Sequence, residues 1–97
     1  MEAMDVLSDT DVQAALDSLP GWGRVENEIE KTFECPSFAD AIAFVVRIGF
    51  LAEKANHHPD IDVRWRKVRV ALTTHDAGGL TAKDIELAGG IEEVHPA

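Results

Sequence analysis

Four histidines, His57, His58, His75 and His95, are the side chains of this 97-residue chain best suited to proton transfer near neutral pH. Two are adjacent, in Glu53-Lys54-Ala55-Asn56-His57-His58-Pro59. His75 follows the apolar run Val68–Thr74 and precedes Asp76-Ala77-Gly78-Gly79. Asp84 opens a helical pattern whose Leu87, Ala88 and Ile91 place it on the apolar side. Glu53 and His57 are four residues apart, so they can meet if the helix reaches His57. Imidazole, with an ordinary pKa of ~6.5, can give or take a proton, so the pattern suits general acid–base work. Plainer roles compete. Histidines at a helix C-terminus complement its dipole, and Asp84 can serve as a capping acid. His95, near the terminus, reads as a solvated tail residue.

Other chemistries fit less well. Three histidines raise a His₃ metal site, but adjacent histidines diverge on a helix and common zinc motifs space them wider, so no metal is expected. Cys35 is the one cysteine. It excludes an intramolecular disulfide and a multi-cysteine zinc site, and it reads as a small buried hydrophobe. No serine sits in a strand–turn–helix elbow, and no Gly-rich phosphate loop is present. With 9 Lys and Arg against 18 Asp and Glu, the net charge is −9 and the pI about 4.7, which argues against a nucleic-acid binder.

The elements that would position these residues alternate. Ser8, Ser37 and Thr81 each precede an acid three residues on, a shortened capping box at the start of a helix. The spacing predicts helices over about Asp9–Leu19, Phe38–Ala55 and Ala82–Val94, with Pro20-Gly21 ending the first. The second is apolar around most of its circumference. It is either buried between its own sheet and another subunit or a single central core helix. Asn56 tolerates a left-handed cap, and Pro59 cannot continue a helix. Trp22–Val25 and Glu28–Cys35 read as a hairpin, with Ile29, Phe33 and Cys35 on one face and Lys31 snorkelling among them. Val63–Trp65 is a short strand and Val68–Thr74 the clearest one. The order αββαββα, with hairpins, gives an α+β fold: one domain, an antiparallel sheet and helices gathered on one face.

The amino-terminal Met1-Glu2-Ala3-Met4-Asp5 is acidic and unlike a secretory signal. The longest apolar stretch, Phe38 to Ala52, carries Asp40 and Arg47 and falls short of the ~20 residues that span a bilayer. A cytoplasmic protein without membrane association is expected.

Glu53-Lys54-x-x-His57-His58-Pro59-Asp60, then Trp65-Arg66-Lys67-Val68, then Thr74-His75-Asp76-x-Gly78-Gly79-Leu80-Thr81-x-x-Asp84-Ile85-x-Leu87-Ala88 closely resembles the pterin-4a-carbinolamine dehydratases. That family is also known as the dimerization cofactor of a hepatocyte nuclear factor. The resemblance runs from about Leu7 to Val94. It implies a four-stranded antiparallel sheet with three helices. The implied reaction is loss of water from 4a-hydroxytetrahydrobiopterin to give quinonoid dihydropterin, in pterin recycling, with no cofactor. By resemblance His57 and His75 form the acid–base pair and His58 chiefly holds the pterin. Asp84 orients a histidine, and Glu53 could do so for His57. Asn56, Thr73, Thr74 and Asp76 lie where backbone contacts to substrate would fall, and Trp22 and Trp65 would wall the pocket. The family further implies a homodimer or homotetramer. Its animal members bind a homeodomain transcription factor, so a protein-binding module is the competing reading, with the second helix as its surface.

Overall fold

Each of the three helices begins where a hydroxyl residue meets a carboxylate. The Asp11 N–H donates to Ser8 Oγ at 3.1 Å, the Asp40 N–H to Ser37 Oγ at 3.0 Å, and the Thr81 N–H to Asp84 Oδ2 at 2.9 Å. These bonds satisfy amides that a helix start leaves without partners. The computed structural model describes residues 5–96, so Met1–Met4 of the amino-terminal Met1–Asp5 stretch lie outside them. The elements are α1 (Asp9–Asp17), β1 (Gly23–Val25), β2 (Glu28–Glu34), α2 (Phe38–Ala55), β3 (Asp60–Arg64), β4 (Lys67–Leu72), a 3₁₀ turn (His75–Ala77) and α3 (Ala82–Val94).

All strand pairs are antiparallel, in the order β1-β2-β4-β3. Register puts Ile29, Lys31 and Phe33 opposite Leu72, Val70 and Val68. Since side chains alternate across a strand, this makes one apolar face. The other face carries Glu30, Thr32 and Glu34 beside Lys67, Arg69, Asp60 and Asp62. The apolar face packs against Ala41, Phe44 and Ile48 of α2 and Leu87, Ala88 and Ile91 of α3, all buried. Phe33 and Phe44 meet edge to face at 5.0 Å. The α+β architecture read from the sequence is the observed one.

Differences lie at the ends. The chain beyond Asp17 tightens into i→i+3 bonds, Ser18 N–H to Ala15 O and Leu19 N–H to Leu16 O, so α1 stops short of Leu19. Strand β3 begins at Asp60, earlier than Val63, because Asp60 and Asp62 face outward while Ile61 and Val63 face the core. Trp65 is not in the strand. It takes φ 54° in the β3–β4 turn. His95 is no loose tail residue: its Nε2 lies 2.7 Å from the Glu34 carbonyl, and its ring rests 4.9 Å from Phe33 and 5.2 Å from Phe44. On α2 one face is buried, whereas Phe38, Ile42, Val46 and Phe50, four apart, are exposed. Among the described residues, no helix is long and apolar enough to cross a membrane.

Candidate active site

Helix α2 ends at Ala55, and Asn56 takes the left-handed conformation (φ 50°, ψ 46°) that closes it. The His57 N–H then bonds back to the Ala52 carbonyl at 3.1 Å. This reversal turns consecutive side chains apart. His57 points inward, where its Nε2 lies 2.6 Å from Asp84 Oδ1. Asp84 is fully buried. Its other oxygen, Oδ2, accepts the Thr81 N–H at 2.9 Å and the Thr74 hydroxyl at 2.8 Å. The Thr81 hydroxyl is 2.8 Å from that of Thr74 and can donate to it. A carboxylate is an acceptor only, so the proton in the His57 contact belongs to Nε2. In its neutral form the His57 ring is thereby held in one tautomer, with Nδ1 free of that contact.

His58 points outward to Glu53, with Nε2 2.6 Å from Oε2, and both side chains are mainly exposed. The expected Glu53–His57 pair does not form. The helix stops before His57, so the four-residue spacing selects no helical neighbour there, and Glu53 takes His58 instead.

Strand β4 delivers the third histidine. After Leu72 the chain leaves the ladder; Thr74 bridges to Gly79, and Gly78 at φ 77° closes the turn that presents His75 and Asp76. Both are exposed. His57, His58 and His75 line one open depression of about 290 Å³. Asn56, Thr73, Thr74 and Asp76 share its wall, so the segments after α2 and after β4 converge although 18 residues separate His57 from His75. The Thr73 hydroxyl is drawn aside, donating to the Asn27 carbonyl at 2.5 Å. Lys83 also lines the depression. Sequence reasoning missed it; its position beside Asp84 in the first turn of α3 was the available signal.

Two expected wall residues are elsewhere. Trp22 is buried in the core, stacked edge to face on Phe33 at 5.9 Å, with its indole N–H donating to Glu92 Oε1 at 3.0 Å. Trp65 stands exposed at the far end of β4 with the Arg66 guanidinium 5.1 Å from its ring centre. Aromatic type alone could not separate a pocket wall from a core anchor or a turn residue. Cys35 is buried, and that burial, with the charge of Asp40 adding to it, pushes its thiol above its ordinary pKa, the reverse of what a nucleophile needs. Among the described residues, no cluster of three or more His, Cys, Asp and Glu side chains is arranged to hold a metal ion.

Residues 5–94 match the family model described as pterin 4 alpha carbinolamine dehydratase. The chain belongs to the pterin-4a-carbinolamine dehydratase family. A relative from Roseiflexus sp. (strain RS-1), which carries the dehydratase name provisionally, is 62% identical over 91% of this chain and 95% of its own. A relative from Chloroflexus aurantiacus (strain ATCC 29366 / DSM 635 / J-10-fl), named in the same provisional way, is 53% identical over 94% and 98%. The crystal structure of a transcriptional coactivator/pterin dehydratase from Brucella melitensis superposes with a TM-score of 0.91 at 30% identity, covering 95% of this chain and all of the other. A pterin dehydratase-like protein identified as a RuBisCO assembly factor in the alpha-carboxysome shares the fold, with a TM-score of 0.64 at 19% identity over 78% and 88% of the two chains.

Proposed function

We propose that this family member dehydrates 4a-hydroxytetrahydrobiopterin to quinonoid dihydropterin, with the pterin ring seated in the His57–His58–His75 depression. One observation supports the reading above others: imidazoles from two distant segments face one small open site, and one of them is fixed by a buried carboxylate. In the reaction the C4a–O bond breaks, a C4a=N5 bond forms, and the N5 proton is lost. One group must deliver a proton to the leaving oxygen and another must take the proton from N5. His57 and His75 fill these two roles. His57 works through Nδ1, because Nε2 is engaged by Asp84. Asp84 acts as a positioning residue that keeps His57 in register. His58, steadied by Glu53, holds the ring from the rim, and the backbone groups of Asn56, Thr73, Thr74 and Asp76 bind its edge. Such proton transfer is typically worth ~10²–10⁴-fold. No cofactor is needed, and a cytoplasmic setting goes with this chemistry. Stopped-flow measurement of dehydration tests the reading: the wild-type chain should exceed the buffer rate and His75→Ala should fall back towards it. Equal rates for the two proteins would overturn it.

A second reading rests on the exposed stripe of Phe38, Ile42, Val46 and Phe50 along α2. A contiguous apolar face of this kind marks a protein contact. We infer that it takes a second copy of this chain, giving a homodimer or homotetramer. Light scattering after size exclusion should then show an oligomer at micromolar concentration, converted towards monomer by Phe50→Asp. A wild-type monomer would refute it.

A further inference from the structure

His75 and Thr73 line a second depression as well as the first. It is about 310 Å³ and lies under the β1–β2 turn, where Glu26, Asn27 and Glu28 form its far wall. The Thr73–Asn27 hydrogen bond fastens that turn to the end of β4, so the two depressions keep a common rim. Their charges differ. Lys83 borders the histidine depression, whereas no lysine or arginine borders the second. Glu26 and Glu28 enter no ion pair among the described residues. The neighbouring cation, Arg24, does not line the depression: it donates to Asp9 and to the Glu26 carbonyl, both at 2.7 Å, and pairs with neither the Glu26 nor the Glu28 carboxylate.

The chemistry of the ring connects the two spaces. In a pterin carbinolamine the atoms C4a, N5 and C6 are consecutive, and C6 carries the side chain. A histidine that serves the oxygen on C4a or the proton on N5 therefore stands within two bonds of where that side chain leaves the ring. His75 is the histidine on the shared rim.

We propose that the second depression receives the C6 side chain, and that Glu26 and Glu28 make it select neutral hydroxylated side chains over anionic ones. This rests on the pterin reading above. The carboxylates accept hydrogen bonds from hydroxyls and repel a phosphate or carboxylate through a partly solvated gap, where each charge acts weakly and is screened by salt.

The test compares two substrates that differ only in charge, the 4a-hydroxytetrahydropterins bearing 6-hydroxymethyl and its phosphate monoester. In wild-type protein at low salt, kcat/KM should favour the neutral substrate about tenfold, and the ratio should shrink as salt rises. Glu26→Lys with Glu28→Lys should bring the ratio to one or invert it. Glu26→Gln with Glu28→Gln, which keeps the side-chain shapes, should give an intermediate ratio and guards against a misfolded charge reversal. A wild-type ratio near one, or a ratio that neither double variant moves, would overturn the assignment while leaving dehydration itself intact. Failure of wild-type protein to dehydrate either substrate would instead overturn the pterin reading, and this assignment with it.

Discussion

His57 and His58 are neighbours in the chain, and each has a ring nitrogen 2.6 Å from a carboxylate oxygen. Their surroundings are opposite. The His57 side chain is 10% exposed and its partner Asp84 not at all, while His58 and Glu53 are 61% and 77% exposed. Contact length therefore says little about what a contact does. The inner pair is locked because Asp84 is also held by Thr74 and Thr81, and every donor there loses its partner if the carboxylate goes. The outer pair competes with water at every moment, and exposed pairs contribute at most about 1 kcal/mol. The site thus joins an imidazole of fixed tautomer to a rim that can adapt to a ligand.

The largest effect expected from breaking this contrast is at Asp84. Asp84→Ala strands the His57 Nε2–H, the Thr74 hydroxyl and the Thr81 N–H in a buried space, and should cost about 3–5 kcal/mol of stability, read by chemical denaturation. Asp84→Asn sharpens the point. Its oxygen can still accept from Thr74 and Thr81, but its amide donates to His57 and imposes the wrong tautomer. Dehydration should fall about 10²-fold or more with much of the stability kept. A variant with near-normal turnover would show that the tautomer is irrelevant.

Next come the two proposed proton carriers. His57→Ala and His75→Ala should each reduce kcat by roughly 10²–10⁴-fold. They should differ in stability. His57→Ala leaves Asp84 Oδ1 unpaired and should cost about 1–3 kcal/mol, whereas exposed His75 should cost within about 0.5 kcal/mol. Equal destabilisation would erase the distinction between buried corner and rim. Glu53→Gln, on the outer pair, should change KM by only a few-fold and leave stability within about 0.5 kcal/mol, as seen by steady-state kinetics and melting.

The smallest effect concerns Cys35. Its raised thiol pKa means that the folded chain holds the proton more tightly than the unfolded chain does. Stability should therefore decline as pH rises through the ordinary thiol range, and Cys35→Ala should flatten that slope.

How much of this was legible in the sequence follows from the range of each interaction. The helix starts at Ser8, Ser37 and Thr81 are local hydrogen-bond patterns, and the left-handed stop at Asn56 is a property of one residue, so both could be read directly. The alternation of Ile61 and Val63 with Asp60 and Asp62 was also present, though half-hidden because the outward residues are charged. Partner choice was harder. Glu53 at four residues from His57 is the obvious neighbour only if the helix continues, and its end at Ala55 passes His57 to Asp84, 27 residues away. Family resemblance supplied Asp84 as an orienting residue, which spacing alone could not. Trp22 and His95 found Glu92 and the Glu34 carbonyl, 70 and 61 residues away, which no apolar spacing reveals, and Trp65 fell in the two-residue turn between β3 and β4, where it reads as the end of a strand. Lys83 escaped notice because a lone lysine in a first turn carries no motif.

The most direct test of the central claim is a long-range ¹H–¹⁵N titration of the imidazole nitrogens with 7,8-dihydrobiopterin. The account predicts that free His57 carries its proton on Nε2. It predicts that the ring signals of His57, His58 and His75 all shift with one binding curve, while His95, packed on Phe33 and Phe44, stays still. A His57 whose signals ignore the ligand while those of His75 respond, or shifts of His95 as large as theirs, would contradict it.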